Sequence, residues 1–211
     1  MVKPEVSHFY EQIVEGIISQ GYFKGQFPFR SLTKSLYEEV KHIADARLLR
    51  PAKIGKAHLK TLNTEIRSDS IIWIDKNTNL QEFPSAIQYI AILEDLKNYL
   101  NSTCFANIYE IETFYAHYPP EAFYKRHLDR FNDSDTRLFT AILYLNPHII
   151  SEKHGGQLRM YISPNRVTDI VPSLHTFVMF DSGRFEHEVL PAQTSRYSIT
   201  SFFRRRNFFS F

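Results

Sequence analysis

The sequence predicts an α+β fold in which helices come first and a sandwich or jelly-roll barrel of short strands rests on them. Three observations lead there. Apolar positions recur at helical spacing ahead of residue 107. From Asn107 onward the period moves towards two. Turn signals such as Pro119-Pro120, Asn132-Asp133, Gly155-Gly156, Pro164-Asn165 and Asp181-Ser182-Gly183 then cut the second half into short pieces.

The elements follow in order. Residues 5–20 place Phe9, Ile13, Ile17 and Ile18 at helical intervals. An extended piece runs from Tyr22 to Phe29, and a second amphipathic helix from Ser31 to about Ala46. Leu48 to Asn63 is basic and irregular and is expected as an exposed loop or hairpin, either solvated or touching a partner. A strand enters through Ile66 and ends near Trp73, the only tryptophan, and Pro84 to Leu100 forms a third helix. Strands are expected at 107–118, 124–129, 137–145, 157–162, 175–180, 184–190 and 196–204. No internal repeat or low-complexity stretch interrupts them.

Composition narrows the function. A chain of 211 residues with 43% hydrophobic content is expected to fold as one domain with a substantial core. Aromatic residues are abundant, with 18 Phe and 12 Tyr. Only seven glycines occur, and none forms a dinucleotide or Walker-type phosphate loop. A net charge of +2 gives no special affinity for nucleic acid. The Phe202-Phe203-Arg204-Arg205-Arg206 run is expected as a solvated strand edge, with a nucleic-acid contact as the alternative. The single Cys104 permits no internal disulfide, fits a reducing cytoplasm, and reads as packing rather than as a nucleophile. The N-terminus does not resemble a signal peptide, and no apolar run approaches the length of a membrane span.

The chemistry concentrates in His127-Leu128-Asp129, the later His187, and Arg196. Two histidines and a carboxylate form the ligand set of non-haem Fe(II) oxygenases, which leaves the other face of the metal open. Residues two apart on a strand share a face, so His127 and Asp129 can reach one ion. Alternation places Phe185, His187 and Val189 on one face, and Arg196, Ser198, Thr200 and Phe202 on another. Two neighbouring antiparallel strands would bring His187 and Arg196 together. An arginine there suits a carboxylate, because its planar fork stays charged and binds bidentately. A lone His-x-Asp is common by chance; the ordered combination with a distal histidine and arginine is what carries weight. His117, His148, His154 and His175 read as surface or packing residues.

Further stretches carry a resemblance. They are Leu49-Arg50-Pro51-Ala52-Lys53-Ile54-Gly55, Glu65 to Trp73, and Tyr118-Pro119-Pro120 before Tyr124-Lys125-Arg126-His127-Leu128-Asp129. Tyr144-Leu145-Asn146, Gly155-Gly156-Gln157-Leu158-Arg159, His187-Glu188-Val189 and Arg196-Tyr197-Ser198-Ile199-Thr200 complete them. Over about 48–206 the chain resembles prolyl-hydroxylase-type 2-oxoglutarate/Fe(II)-dependent dioxygenases, the branch of bacterial and oxygen-sensing prolyl hydroxylases. Two departures stand out: Ser201-Phe202 where relatives have Gly-Trp, and Ser68 where a glycine is common.

The resemblance implies a double-stranded β-helix (jelly-roll) barrel buttressed by N-terminal helices. Residues 1–211 would be one domain, with 1–106 mainly helical support and entrance loop and 107–206 the catalytic jelly roll. It implies Fe(II) on His127, Asp129 and His187, and 2-oxoglutarate and O2 as cosubstrates, with ascorbate as a candidate reductant. Arg196 and Tyr144 would take the distal carboxylate of 2-oxoglutarate, and Tyr118 would lie near its chelating end. Ile142, Leu158, Val189 and Thr200 would line the pocket, and Arg67, Asp69 and Arg137 the substrate entrance. The implied reaction hydroxylates a prolyl residue in a protein and releases succinate and CO2. The alternatives are the same chemistry on a free amino acid or small molecule, nucleic-acid demethylation, which the near-neutral charge disfavours, and a binding module with a vestigial metal site.

Overall fold

The computed structural model describes residues 4–53, 61–75, 80–130 and 136–206. Parts of the expected 48–63 loop and the Asn132-Asp133 turn lie outside them. Among the described residues there are three α-helices, α1 (Pro4–Gln20), α2 (Arg30–Asp45) and α3 (Pro84–Cys104), close to their expected bounds. The strands are β1 (Tyr22–Gln26), β2 (Arg50–Pro51), β3 (Ser70–Ile74), β4 (Ile108–Tyr118), β5 (Tyr124–His127) and β6 (Arg137–Tyr144). They continue with β7 (Leu158–Ser163), β8 (Arg166–Ile170), β9 (Thr176–Asp181), β10 (His187–Val189) and β11 (Arg196–Arg205).

These strands make two antiparallel sheets. One has the order β1-β9-β6-β11-β4-β3-β2, the other β5-β10-β7-β8. The sequence expectation differs at three points. Arg50–Pro51, expected as irregular, pairs with β3. Arg166–Ile170, for which no strand is expected, closes a hairpin with β7. His187 and Arg196 do not lie on neighbouring strands: β10 belongs to the smaller sheet and β11 to the larger, so the two side chains meet from opposite sheets. Period-two alternation reports which face a residue occupies and not which strand lies beside it.

The helices follow from apolar spacing. Leu32, Leu36, Val40 and Ile43 form the buried stripe of α2, and Ala86, Tyr89, Leu93, Leu96 and Leu100 that of α3. Pro84 opens α3, where its missing N–H costs nothing. The α3 N-terminus is capped from a distance: the Glu39 carboxylate on α2 accepts from the backbone N–H of Ser85 at 2.7 Å and of Ala86 at 3.1 Å. The same carboxylate accepts from the buried Tyr115 hydroxyl at 2.7 Å, so one acidic group ties α2, α3 and β4 together.

Two apolar clusters divide the interior. The larger joins α1, α2 and α3 to one face of the larger sheet, through Ile13, Leu36, Leu93, Tyr115, Phe177, Ile199 and Phe203 among others. Phe9, Phe27 and Phe177 pack ring to ring there, with centroids 5.4–5.9 Å apart, so much of the high aromatic content is consumed as core. The smaller cluster lies on the opposite face, with Ile142, Tyr144, Leu158, Val189 and Phe202. Strand β11 divides the two: Ile199, Ser201 and Phe203 serve the helical side, whereas Arg196, Ser198, Thr200 and Phe202 line a cavity. All are buried, as expected for a strand covered on both faces.

Candidate active site

The cavity between the sheets measures about 710 Å³. Among the described residues, His127, Asp129 and His187 form a group that could hold a metal ion, with ligand atoms all within 4.8 Å of one another. His127 ends β5, and Asp129 follows two residues later as the chain leaves the strand. His187 opens β10 and is the direct register partner of His127. Sheet pairing therefore sets the two rings together, with centroids 4.3 Å apart.

Hydrogen bonds fix the ring orientations. The Nδ1 of His127 donates to the Lys125 carbonyl at 2.7 Å, and the Nδ1 of His187 donates to the Phe185 carbonyl at 3.0 Å. A carbonyl only accepts, so each Nδ1 carries a proton, and in the neutral ring that leaves the Nε2 lone pair free for a metal. Those Nε2 atoms flank the Asp129 carboxylate, at 3.6 Å from His127 to Oδ1 and 3.5 Å from His187 to Oδ2. Burial lowers the His187 pKa despite nearby Asp129, which favours the neutral ring a metal needs. Burial opposes ionisation of Asp129, yet His187, His127 and the Thr140 hydroxyl hold its carboxyl below the ordinary range.

Thr140 escaped the sequence analysis. Its hydroxyl donates to Asp129 Oδ2 at 2.7 Å and lies 2.9 Å from the Ser182 hydroxyl. The signal was present in the alternation Thr140-Ile142-Tyr144, which puts all three on one face of β6. Tyr124, named in the sequence analysis only as part of a stretch, has a contact of its own: its ring stacks on His127 at 3.5 Å, and burial, opposed in part by Arg67, pushes its hydroxyl up to about 12.

Arg196 enters from the other sheet. It is 2% exposed, with its guanidinium 4.7 Å from the Tyr118 ring centre and 5.0 Å from that of Tyr144. Its Nε donates to the Gly156 carbonyl at 2.9 Å. Gly156 has φ +75°, and a Cβ there would sit 3.2 Å from Arg196 Cδ, so both the backbone and the close approach require glycine. The Tyr144 hydroxyl is buried and makes no hydrogen bond to the described residues; burial, opposed by Arg196, pushes its pKa up to about 12. An orphaned hydroxyl beside a buried arginine suits a carboxylate ligand.

Ile142, Leu158, Val189 and Thr200 line the cavity as expected, as do Tyr118, Arg67 and Arg137. Asp69 stands behind the wall rather than on it, and Tyr144 is fully buried beside Arg196. Asp69 is 2% exposed and binds Arg67 bidentately at 2.7 and 2.5 Å, holding that guanidinium 4.3 Å above the Tyr124 ring. The C-terminal arginines are engaged rather than simply solvated: Arg204 pairs with Glu110 and Glu112, Arg205 donates to the Ala106 carbonyl, and Arg206 covers the Tyr109 ring.

Comparison with known proteins gives a consistent picture. The family model of the 2OG-Fe(II) oxygenase superfamily matches residues 113–204. The human prolyl hydroxylase EGLN3 is 30% identical over 169 residues, which cover 77% of this chain and 69% of the relative. Human Egl nine homolog 1 is 32% identical over 143 residues, covering 64% of this chain and 32% of that protein. Among solved structures, the chain resembles a Pseudomonas putida prolyl-4-hydroxylase with TM-score 0.83 and 35% identity, covering 94% of this chain and 100% of that one. A Trichoplax adhaerens prolyl hydroxylase, in complex with a hypoxia inducible factor oxygen degradation domain peptide, matches with TM-score 0.83 and 26% identity over 95% and 90% of the two chains.

Proposed function

The chain belongs to the 2OG-Fe(II) oxygenases of prolyl-hydroxylase type, and on that premise we propose that it hydroxylates a prolyl residue within a protein, consuming 2-oxoglutarate and O2 and releasing succinate and CO2. The observation that carries this is the convergence of His127, Asp129 and His187 from one sheet with Arg196 from the other in a single cavity. The donor set fits Fe(II), and the orphaned Tyr144 hydroxyl beside Arg196 fits the far carboxylate of the cosubstrate.

In this assignment His127, Asp129 and His187 hold the iron, which when bound supplies the open coordination positions and the oxygen chemistry. Arg196 and Tyr144 grip the distal carboxylate of 2-oxoglutarate and thereby orient its other end towards the triad. The Tyr118 ring packs on the Arg196 guanidinium, from which its hydroxyl would reach towards the chelating end of 2-oxoglutarate. Ile142, Leu158 and Val189 keep water from the reacting atoms, with Thr200 as a polar point on the same wall. Arg67, held by Asp69, and Arg137 serve the substrate entrance.

We place these parts on one domain, a double-stranded β-helix buttressed by α1, α2 and α3. A protein substrate is favoured over free proline because a cavity of about 710 Å³ is larger than a five-carbon diacid and one amino acid require. The Trichoplax relative is seen with a peptide fragment, which supports the same choice. A cytoplasmic setting accords with a lone, partly buried Cys104, and no helix among the described residues is long and apolar enough to cross a membrane. The test incubates purified protein with Fe(II), 2-oxoglutarate and ascorbate, against a proteome extract in one arm and free proline in the other. Hydroxyproline in a defined protein supports the reading; efficient turnover of free proline with no protein product refutes it.

A further inference from the structure

Arg137 differs from two other arginines at the cavity, Arg67 and Arg126, and shares with Arg196 the lack of a carboxylate partner among the described residues. Arg67 is bound by Asp69 and Arg126 by Glu186, whereas the guanidinium of Arg137 has no carboxylate partner among the described residues. Its one hydrogen bond there runs from Nη1 to the backbone carbonyl of Asp129, at 3.2 Å. Burial lowers its pKa, and the nearby Asp129 and Glu112 charges offset that cost only in part. What holds it is a ring: its guanidinium carbon lies 3.7 Å from the centre of Phe202. That ring is 6% exposed and is fixed in turn by Phe114, at 5.7 Å, and Trp73, at 6.4 Å.

The Ser201-Phe202 departure from the family pattern therefore splits between two layers. Ser201 faces the helical side and lies 2.8 Å from the Thr113 hydroxyl. Phe202 faces the cavity and offers a π face with no N–H of its own. A cation on a desolvated aromatic face is held in place while most of its donors stay unspent. Those donors line the cavity beside Asp129, a metal-ligand candidate to which Arg137 is directly hydrogen-bonded.

We infer that Phe202 is the positioning residue for Arg137: the stack holds the guanidinium beside Asp129, where its free N–H groups take a carbonyl or carboxylate oxygen of the substrate segment next to the target proline. This rests on the prolyl-hydroxylase reading and adds to it a residue that acts only through another. It predicts a specific dependence. Replacing Phe202 matters because Arg137 loses its support, and it matters little once Arg137 is gone.

The experiment is a double-mutant cycle in the full chain loaded with Fe(II), comparing Phe202→Leu, Arg137→Ala and the double variant. The probe is a tryptic digest of a proteome, and the readouts are digest-stimulated succinate release and hydroxyproline formed. Phe202→Leu is expected to raise the digest concentration for half-maximal stimulation threefold to tenfold, about the range of a cation–π contact, with a smaller change in maximal rate. Phe202→Tyr and Phe202→Trp, which keep a ring face, should restore it. In the Arg137→Ala background Phe202→Leu should add less than twofold. An equal loss in both backgrounds would make Phe202 a plain wall and overturn the inference. A second arm needs no substrate: NMR of labelled arginine should show Arg137 side-chain protons shifted upfield by the ring in the wild type, and the shift lost in Phe202→Leu. Unshifted Arg137 signals overturn the stack itself. Stimulated succinate release without hydroxyproline refutes the prolyl reading while the cycle still decides the role of Phe202. A stack with no stimulated turnover overturns the coupling.

Discussion

His127 and His187 are cross-strand partners in register, and their Nε2 atoms meet the two oxygens of the same Asp129 carboxylate. The geometry of the triad is thus a property of sheet pairing between β5 and β10, with Asp129 added at the strand exit. Asp129→Ala is expected to abolish iron-dependent decarboxylation of 2-oxoglutarate while the chain stays folded, because the carboxylate projects into the cavity. The loss should exceed the about 10–100-fold that removal of a supporting bond costs. Wild-type activity in Asp129→Ala would sink the assignment.

Arg196→Ala removes the guanidinium we assign to the distal carboxylate. Breaking a buried charge pair costs about 3–5 kcal/mol, which is more than about a hundredfold in affinity. The 2-oxoglutarate concentration for half-maximal turnover should rise accordingly, with Fe(II) affinity by equilibrium dialysis largely spared. Tyr144→Phe should act in the same direction by about 1.5–3 kcal/mol, the worth of one hydrogen bond to a charged group. A cosubstrate requirement unchanged in both variants would remove these residues from the site.

Thr140→Val keeps the shape of the side chain and deletes its bond to Asp129. Fe(II) affinity should fall about 10–100-fold, and Thr140→Ser should recover most of it. Dialysis against a graded series of Fe(II) concentrations reads this directly. Equal affinity in wild type and Thr140→Val would mean that the strand exit alone orients Asp129.

Glu39→Ala tests the scaffold away from the cavity. It strips two backbone N–H groups of α3 of their acceptor and leaves the Tyr115 hydroxyl buried without one. Stability should drop by about 1–3 kcal/mol, seen as a lower urea midpoint at unchanged slope. Glu39→Gln, which retains an acceptor, should lose less. A midpoint unmoved by Glu39→Ala would show that water replaces the carboxylate at no cost.

Much of this was legible in the chain. Long periodic stretches gave the three helices to within a few residues, and the same-face sets 185/187/189 and 196/198/200/202 are buried as alternation requires. The elements that escaped are those with the weakest pattern. Arg50–Pro51 is two exposed residues of an edge strand, and Arg166–Ile170 places the exposed Arg166 and Val167 on another edge, so neither displays an apolar face. The meeting of His187 and Arg196 was foreseen and its route was not. The turn from Leu190 to Ser195 carries the chain from one sheet to the other, and nothing in local periodicity announces such a crossing.

That crossing has a thermodynamic consequence. Iron, if held by the triad, touches only the smaller sheet, whereas 2-oxoglutarate between iron and Arg196 touches both. The cosubstrate then acts as a removable cross-link that adds to the side-chain packing and the few hydrogen bonds, such as Thr140 to Asp129, that already join the two layers. A ligand that binds only the folded state adds about 2.7 kcal/mol at a hundred times its dissociation constant. The melting temperature of the iron-loaded protein should therefore climb with 2-oxoglutarate concentration, and local opening of the two sheets, read by amide exchange in β10 and β11, should slow together.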